Sequence, residues 1–175
     1  MRVELRWPLA AATPEEAPRA LVLDTNIVLD LLVFGDPAVA PVRTLLGAGQ
    51  LRWLATGAMR EELARVLAYP HIVPRLAFYG LSAASVVQAF DAQVQLAPAA
   101  PRVPPACRDA DDQKFLDLAA AHRAVLLSKD KAVVALRRRM LAHGAHVGSA
   151  LVWAPVCAPS GAPGAAPTGA GRVLA

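Results

Sequence analysis

The sequence predicts an α/β fold: a single domain built on a doubly wound parallel sheet flanked by helices. Three observations predict it. Ala20-Leu21-Val22-Leu23 and Ala124-Val125-Leu126-Leu127 are short, continuous apolar runs, the pattern of strands buried on both faces. Each run breaks at once into polar residues, Asp24-Thr25-Asn26 and Ser128-Lys129-Asp130, and a helical pattern follows. Between the two runs strand patterns alternate with helix patterns, as crossover connections in a parallel sheet require.

Residues 1–18, rich in Pro and Glu, precede the first strong strand and are expected to form an N-terminal appendage. They contain no uninterrupted apolar core, so no signal peptide is expected. The domain is expected over 19–155. After Asp24 the apolar residues resume as Ile27, Val28, Leu29, Leu31 and Leu32. Pro37 to Gly49 predicts a helix with Val39, Val42, Leu45 and Leu46 at helical spacing, stopped by Gly47 and Gly49. Leu51 to Ala55 predicts the second strand. The next helix runs from Ala58 to Ala68 and is closed by Pro70. In it Met59, Leu63, Val66 and Leu67 form one apolar stripe. Glu62 borders that stripe, and Glu61 lies opposite with Arg65. His71 to Gly80 predicts a short helical piece broken by Pro74. Ser82 caps a helix reaching about Gln93, with Val86, Val87 and Phe90 inward, and Val94 to Leu96 is a short strand.

The loop from Ala97 to Cys107 carries Pro98, Pro101, Pro104 and Pro105. A helix then starts among Asp109, Asp111 and Asp112, with Asp109 as its N-cap and Phe115, Leu118, Ala119 and His122 on one face. After the strand at 124–128 a helix runs to Leu141 with Val133, Leu136 and Met140 on one side. The cations Arg137, Arg138 and Arg139 near its end suit the helix dipole. Ala145 to Trp153 predicts the last strand. Residues 156–175, dominated by Pro, Gly and Ala, are too poor in bulky apolar groups to order themselves and are expected to be a disordered tail.

Composition narrows the class. At 175 residues and 55% hydrophobic, the chain has material for one domain with a real core. A net charge of +4 suits a polyanionic partner without demanding one. Cys107 and Cys157 lie far apart with no CxxC spacing, so no zinc site or disulfide framework is expected and a reducing, cytoplasmic setting is the simpler one. The absence of an 18-residue apolar stretch argues against a membrane span.

The chemistry lies in four acids. Asp24 and Asp130 each follow the carboxyl end of an apolar strand, where open α/β sheets place ligands. Asp112 opens a helix on that edge, and Glu62 comes from a helix that starts there. Each has an ordinary explanation taken singly: helix capping for the aspartates, a solvated boundary for the glutamate. Their shared edge is what those explanations leave out. Carboxylates with no His or Cys beside them select a hard cation, Mg²⁺ or Mn²⁺. The matching chemistry is phosphodiester hydrolysis, in which such ions neutralise charge on phosphoryl oxygens.

Leu21-Val-Leu-Asp-Thr-Asn26, Met59-Arg-Glu-Glu-Leu-Ala-Arg-Val-Leu67, Asp109-Ala-Asp-Asp-Gln-Lys-Phe-Leu116 and Leu126-Leu-Ser-Lys-Asp130 together resemble the PIN-domain nucleases. The likeness is greatest to the bacterial, VapC-like branch of toxins from toxin–antitoxin pairs, and spans about 19–155. It implies that Asp24, Glu62, Asp112 and Asp130 are the catalytic, metal-binding acids, with Asp111 able to share the metal and Asn26 and Ser128 in support. It also implies an endoribonuclease dependent on Mg²⁺ or Mn²⁺, an RNA substrate and a small antitoxin protein as partner; a homodimer is compatible with it. Arg60, Lys114, Lys129 and Lys131 are the candidate nucleic-acid contacts. Lys129 stands where the branch often has a small residue, so it either pairs with the acids or meets phosphate. Two rival readings remain. One is a nuclease-fold protein that binds RNA as a scaffold without turnover. The other is a dehalogenase-like or response-regulator-like phosphatase; the first fits poorly because Asn26 stands where an Asp-x-Asp motif needs its second acid, the second because it needs an acidic pair before the phosphoacceptor and a lysine late in the fold.

Overall fold

The structure, a computed structural model, describes residues 2–9 and 18–154. The tail expected at 156–175 lies outside the described residues. β1 (Glu4–Trp7) comes first, then β2 (Arg19–Leu23), in which Ala20 to Leu23 are all buried. α1 (Thr25–Leu29) runs directly into a π-helical turn, Asp30–Phe34, that closes on Gly35 at φ 60°, a left-handed conformation natural to glycine. A 3₁₀ turn at Pro37–Val39 leads into α2 (Ala40–Gly47), and β3 (Leu51–Ala55) follows. α3 (Gly57–Leu67), α4 (Val73–Phe78) and α5 (Ala83–Asp91) precede the short β4 (Gln95–Leu96). After the proline loop come α6 (Gln113–Ala121), β5 (Val125–Leu127), α7 (Lys131–Ala135), α8 (Arg137–Leu141), β6 (His146–Gly148) and β7 (Ala150–Trp153).

The main sheet has five strands in the order β4-β3-β2-β5-β6, and every pair is parallel. Within this sheet the chain starts at the central β2, winds outward through β3 and β4, then returns to the other side through β5 and β6. The switch point therefore lies between the carboxyl ends of β2 and β5, the crevice in which such sheets hold ligands. Register pairs Leu23 with Leu127, so the residues just beyond, Asp24 and Ser128, face one another across that crevice. The core is continuous across both faces of the sheet. Trp53 of β3 meets Phe90 of α5 edge to face, with centroids 5.2 Å apart, which packs α5 against β3.

Four local expectations differ from the structure. Pro74 sits in the first turn of α4 rather than breaking it, because an N–H there has no helical partner to lose. The single strand expected at 145–153 is two strands that break at Ser149: β6 ends the main sheet and β7 pairs with β1. The helix expected to reach Leu141 without a break is divided at Leu136. Asp109 is not the cap of α6. Its carboxylate accepts the Asp111 N–H at 2.9 Å in a local turn, α6 begins only at Gln113, and His122 lies exposed at the helix end.

The N-terminal segment is docked over its described part. β1 runs parallel to β7 with Glu4 opposite Ala150, and Ser149 receives the Val3 N–H at 2.8 Å. Gly148 makes the approach feasible: a Cβ there would stand 2.6 Å from Leu5 Cγ and 3.0 Å from the Val3 carbonyl. Among the described residues, no single helix is long and apolar enough to cross a membrane.

Candidate metal centre

Asp24 divides its work between backbone and side chain. Its carbonyl accepts the N–H groups of Ile27 at 2.9 Å and Val28 at 3.0 Å, which starts α1, while its own N–H bonds the Leu127 carbonyl at 3.0 Å and ties β2 to β5. The side chain makes no capping bond. Instead Oδ2 accepts the Ser128 hydroxyl at 2.7 Å in a site where Asp24 is 3% and Ser128 0% exposed. Capping therefore does not account for this carboxylate. Burial pushes its pKa up; the Ser128 bond opposes that rise, and the charge of Glu62 adds to it.

Ser128 links two acids. Its hydroxyl donates to Asp24 and its oxygen accepts the Asp130 N–H at 3.0 Å. Asp130 does cap its helix: Oδ1 accepts from Ala132 N at 2.5 Å and more distantly from Val133 N at 3.4 Å. Asp112 immediately precedes α6, half-buried, and its side chain makes no capping bond. Burial, and then repulsion from Asp24 and Asp130, push its carboxyl up to about 6, and Lys114 only partly offsets them. Asp112 thus lies close enough to Asp24 and to Asp130 to feel the charge of both.

Glu62 comes from α3, whose start is capped by Thr56. It is half-buried beside the buried Met59, Leu63 and Leu67, while Glu61 is exposed, as the helical stripe predicts. Both of its oxygens are engaged. Oε1 accepts the buried Thr25 hydroxyl at 2.7 Å, and Oε2 meets Lys114 Nζ at 2.5 Å. Lys114 Nζ also contacts the Asp111 carbonyl and lies 4.7 Å from the Phe115 ring centroid. The Asp111 side chain itself is exposed.

Among the described residues no three His, Cys, Asp or Glu side chains are gathered closely enough to hold a metal ion as they stand. The donor chemistry nevertheless suits a hard cation. The three aspartates offer only oxygen, Asp112 is repelled by the other two, and no lysine is ion-paired to any of them among the described residues.

Other candidates fall elsewhere. The Asn26 side chain is exposed, its backbone N–H favours the charged form of Asp24, and the side chain bonded to Asp24 is Ser128. Arg60 forms a bidentate pair with Asp91 at 2.6 and 2.7 Å, and Lys129 pairs with the buried Asp30. With Lys114 on Glu62, three of the four expected phosphate contacts are engaged within the protein. Lys131 is exposed and in no ion pair among the described residues.

Three contributors escaped the sequence reading. Thr25 looked like one cap among several, yet it holds Glu62. Asp30, inside an apolar run, is an acid whose burial the neighbouring Leu29 and Leu31 foreshadow. Gln113 is buried and pins the proline loop: it accepts the Cys107 N–H at 2.6 Å and donates to the Pro105 carbonyl at 3.2 Å and to Asp117 at 2.8 Å. Asp117 in turn accepts the Val103 N–H at 2.9 Å, so loop and helix hold Asp112 at the edge of the crevice.

No protein of curated function matches the chain in sequence. Among solved structures it is similar to VapBC2 from Rickettsia felis, solved bound to a DNA fragment from its promoter, at 10% identity and a TM-score of 0.51 over 74% of this chain and 98% of that one. At that identity the likeness is one of fold. In sequence, the family model for the PIN domain matches residues 20–132, a span that runs from the central strand to just past Asp130. The chain belongs to the PIN-domain family.

Proposed function

We propose that the protein is an endoribonuclease dependent on Mg²⁺ or Mn²⁺. The observation that carries this reading is that Asp24 and Asp130 follow adjacent strands at the switch point of the sheet, and that the Asp112 carboxyl is raised to about 6 by burial and then by the charge of those two. Carboxylates so placed repel unless a cation joins them. Membership in a family whose domains are typically metal-dependent nucleases supports the same reading.

Asp24, Asp112 and Asp130 would hold the ion, which when bound neutralises charge on the scissile phosphate. Ser128 links the Asp24 carboxylate to the Asp130 backbone N–H, so the pair is set before any ligand arrives. Gln113 and Asp117 hold the loop that brings Asp112 in. Lys131, exposed beside Asp130, is placed to meet a backbone phosphate. The choice of RNA, and restraint by a small antitoxin protein, rest on the VapC-like resemblance and on the fold shared with VapBC2.

The test is cleavage of a labelled single-stranded RNA with Mn²⁺ and with a chelator. The wild type cuts only with the ion, and Asp24→Asn reduces the rate by on the order of 10²–10³. Undiminished cleavage by Asp24→Asn rejects the reading. The occupied oxygens of Glu62 favour one rival, a protein that binds RNA without turnover. RNA binding with no cleavage under any divalent ion would establish that rival.

A further inference from the structure

Glu62 and the three aspartates occupy one edge of the sheet but are in different states. The Glu62 carboxylate is complete: Thr25 takes one oxygen at 2.7 Å and Lys114 the other at 2.5 Å. The lysine is held on three sides, by Glu62, by the Asp111 carbonyl and by the face of Phe115. The side chains of the pair are only 25% and 19% exposed, so water screens this contact less than it does a surface pair. Asp30 is likewise neutralised, by Lys129.

The aspartates lack such a partner. The Asp112 carboxylate accepts no hydrogen bond from the described residues, and Asp24 and Asp130 give oxygens to a hydroxyl and to backbone N–H groups, not to a lysine. Of the four candidate acids, only Asp24, Asp112 and Asp130 are therefore left without a cationic partner among the described residues. A first divalent ion meets three free charges. A second, seated at Glu62, would have to displace an ammonium and a hydroxyl that are already bound.

Resting on the metal-dependent reading above, we propose that Lys114 is a built-in counter-ion for Glu62 and restricts the carboxylate cluster to one divalent ion. Lys114 then acts as a positioning residue: it fixes Glu62 and supplies from the chain the positive charge that a second ion would bring.

The experiment counts Mn²⁺ on the full chain, free of RNA, by calorimetry and electron paramagnetic resonance. The wild type binds one ion per chain and shows no Mn–Mn dipolar coupling. Lys114→Met, checked for folding by circular dichroism, gains a second ion and with it the Mn–Mn dipolar coupling that the wild type lacks. Lys114→Arg, which keeps the charge, stays at one. Two coupled ions in the wild type overturn the proposal and leave the nuclease reading standing. So does a folded Lys114→Met that still binds a single ion. Should Lys114→Met not fold, the wild-type count and coupling still decide. No Mn²⁺ binding by the wild type at millimolar ion rejects this proposal together with the metal-dependent reading on which it rests.

Discussion

At Asp112 the environment and the proton compete directly. Its carboxyl is raised to about 6, by burial first and then by Asp24 and Asp130. The folded chain therefore holds this proton more tightly than the unfolded chain, in which the group titrates near 4. Stability of the metal-free protein should fall as pH rises from about 4 through about 6, then level off. Asp112→Asn removes that slope and should raise stability at pH 7 by about 1 kcal/mol, a figure reduced for solvent screening of a half-exposed group. Urea titrations across that pH range check both statements; a flat wild-type profile would count against the carboxylate crowding. On the metal-dependent reading Mn²⁺ competes with the same proton, so its affinity should weaken below about pH 6. Asp24 and Asp130 were legible in the sequence because each ends an apolar run. What the sequence did not separate was their side chains, since one carboxylate caps a helix and the other does not. Only the register of β2 against β5, which brings Ser128 to Asp24, makes that distinction.

At the scale of elements, the two buried strands and α3 were readable because local patterns decide them: continuous apolar residues in one case, a 3.6-residue stripe in the other. The start of α6 was not. Three aspartates each offer a cap, and the choice is made by Gln113, whose side chain reaches back to Cys107 and Pro105. Gln113→Leu keeps the bulk but strands the buried Cys107 N–H. It should cost about 1–3 kcal/mol of stability and speed amide exchange over 103–107. Unchanged exchange in that loop would show that the proline residues alone hold it. The split at Ser149 was illegible for another reason. His146-Val147-Gly148 and Ala150-Leu151-Val152-Trp153 share one apolar pattern, and only pairing with β1, from the far end of the chain, divides them.

At the scale of the molecule, the winding order of the sheet matters more than any one element. Because the chain leaves the central β2 in one direction and returns in the other, Asp24 and Asp130 arrive from opposite halves of the sequence at one crevice. The long-range closure through β1 and β7 depends on the missing side chain at 148. Gly148→Ala should cost about 1–3 kcal/mol, because the new methyl meets a backbone carbonyl as well as Leu5. Denaturant unfolding followed by amide exchange at residues 3–7 tests this, and full retention of β1 protection would contradict it. The central claim is that the aspartates at the switch point bind a divalent ion. Its most direct test is Mn²⁺ titration calorimetry of the wild type against Asp24→Asn. Binding by the wild type that is lost in a folded Asp24→Asn is the predicted result. Equal binding by both proteins would place the ion elsewhere and contradict the account.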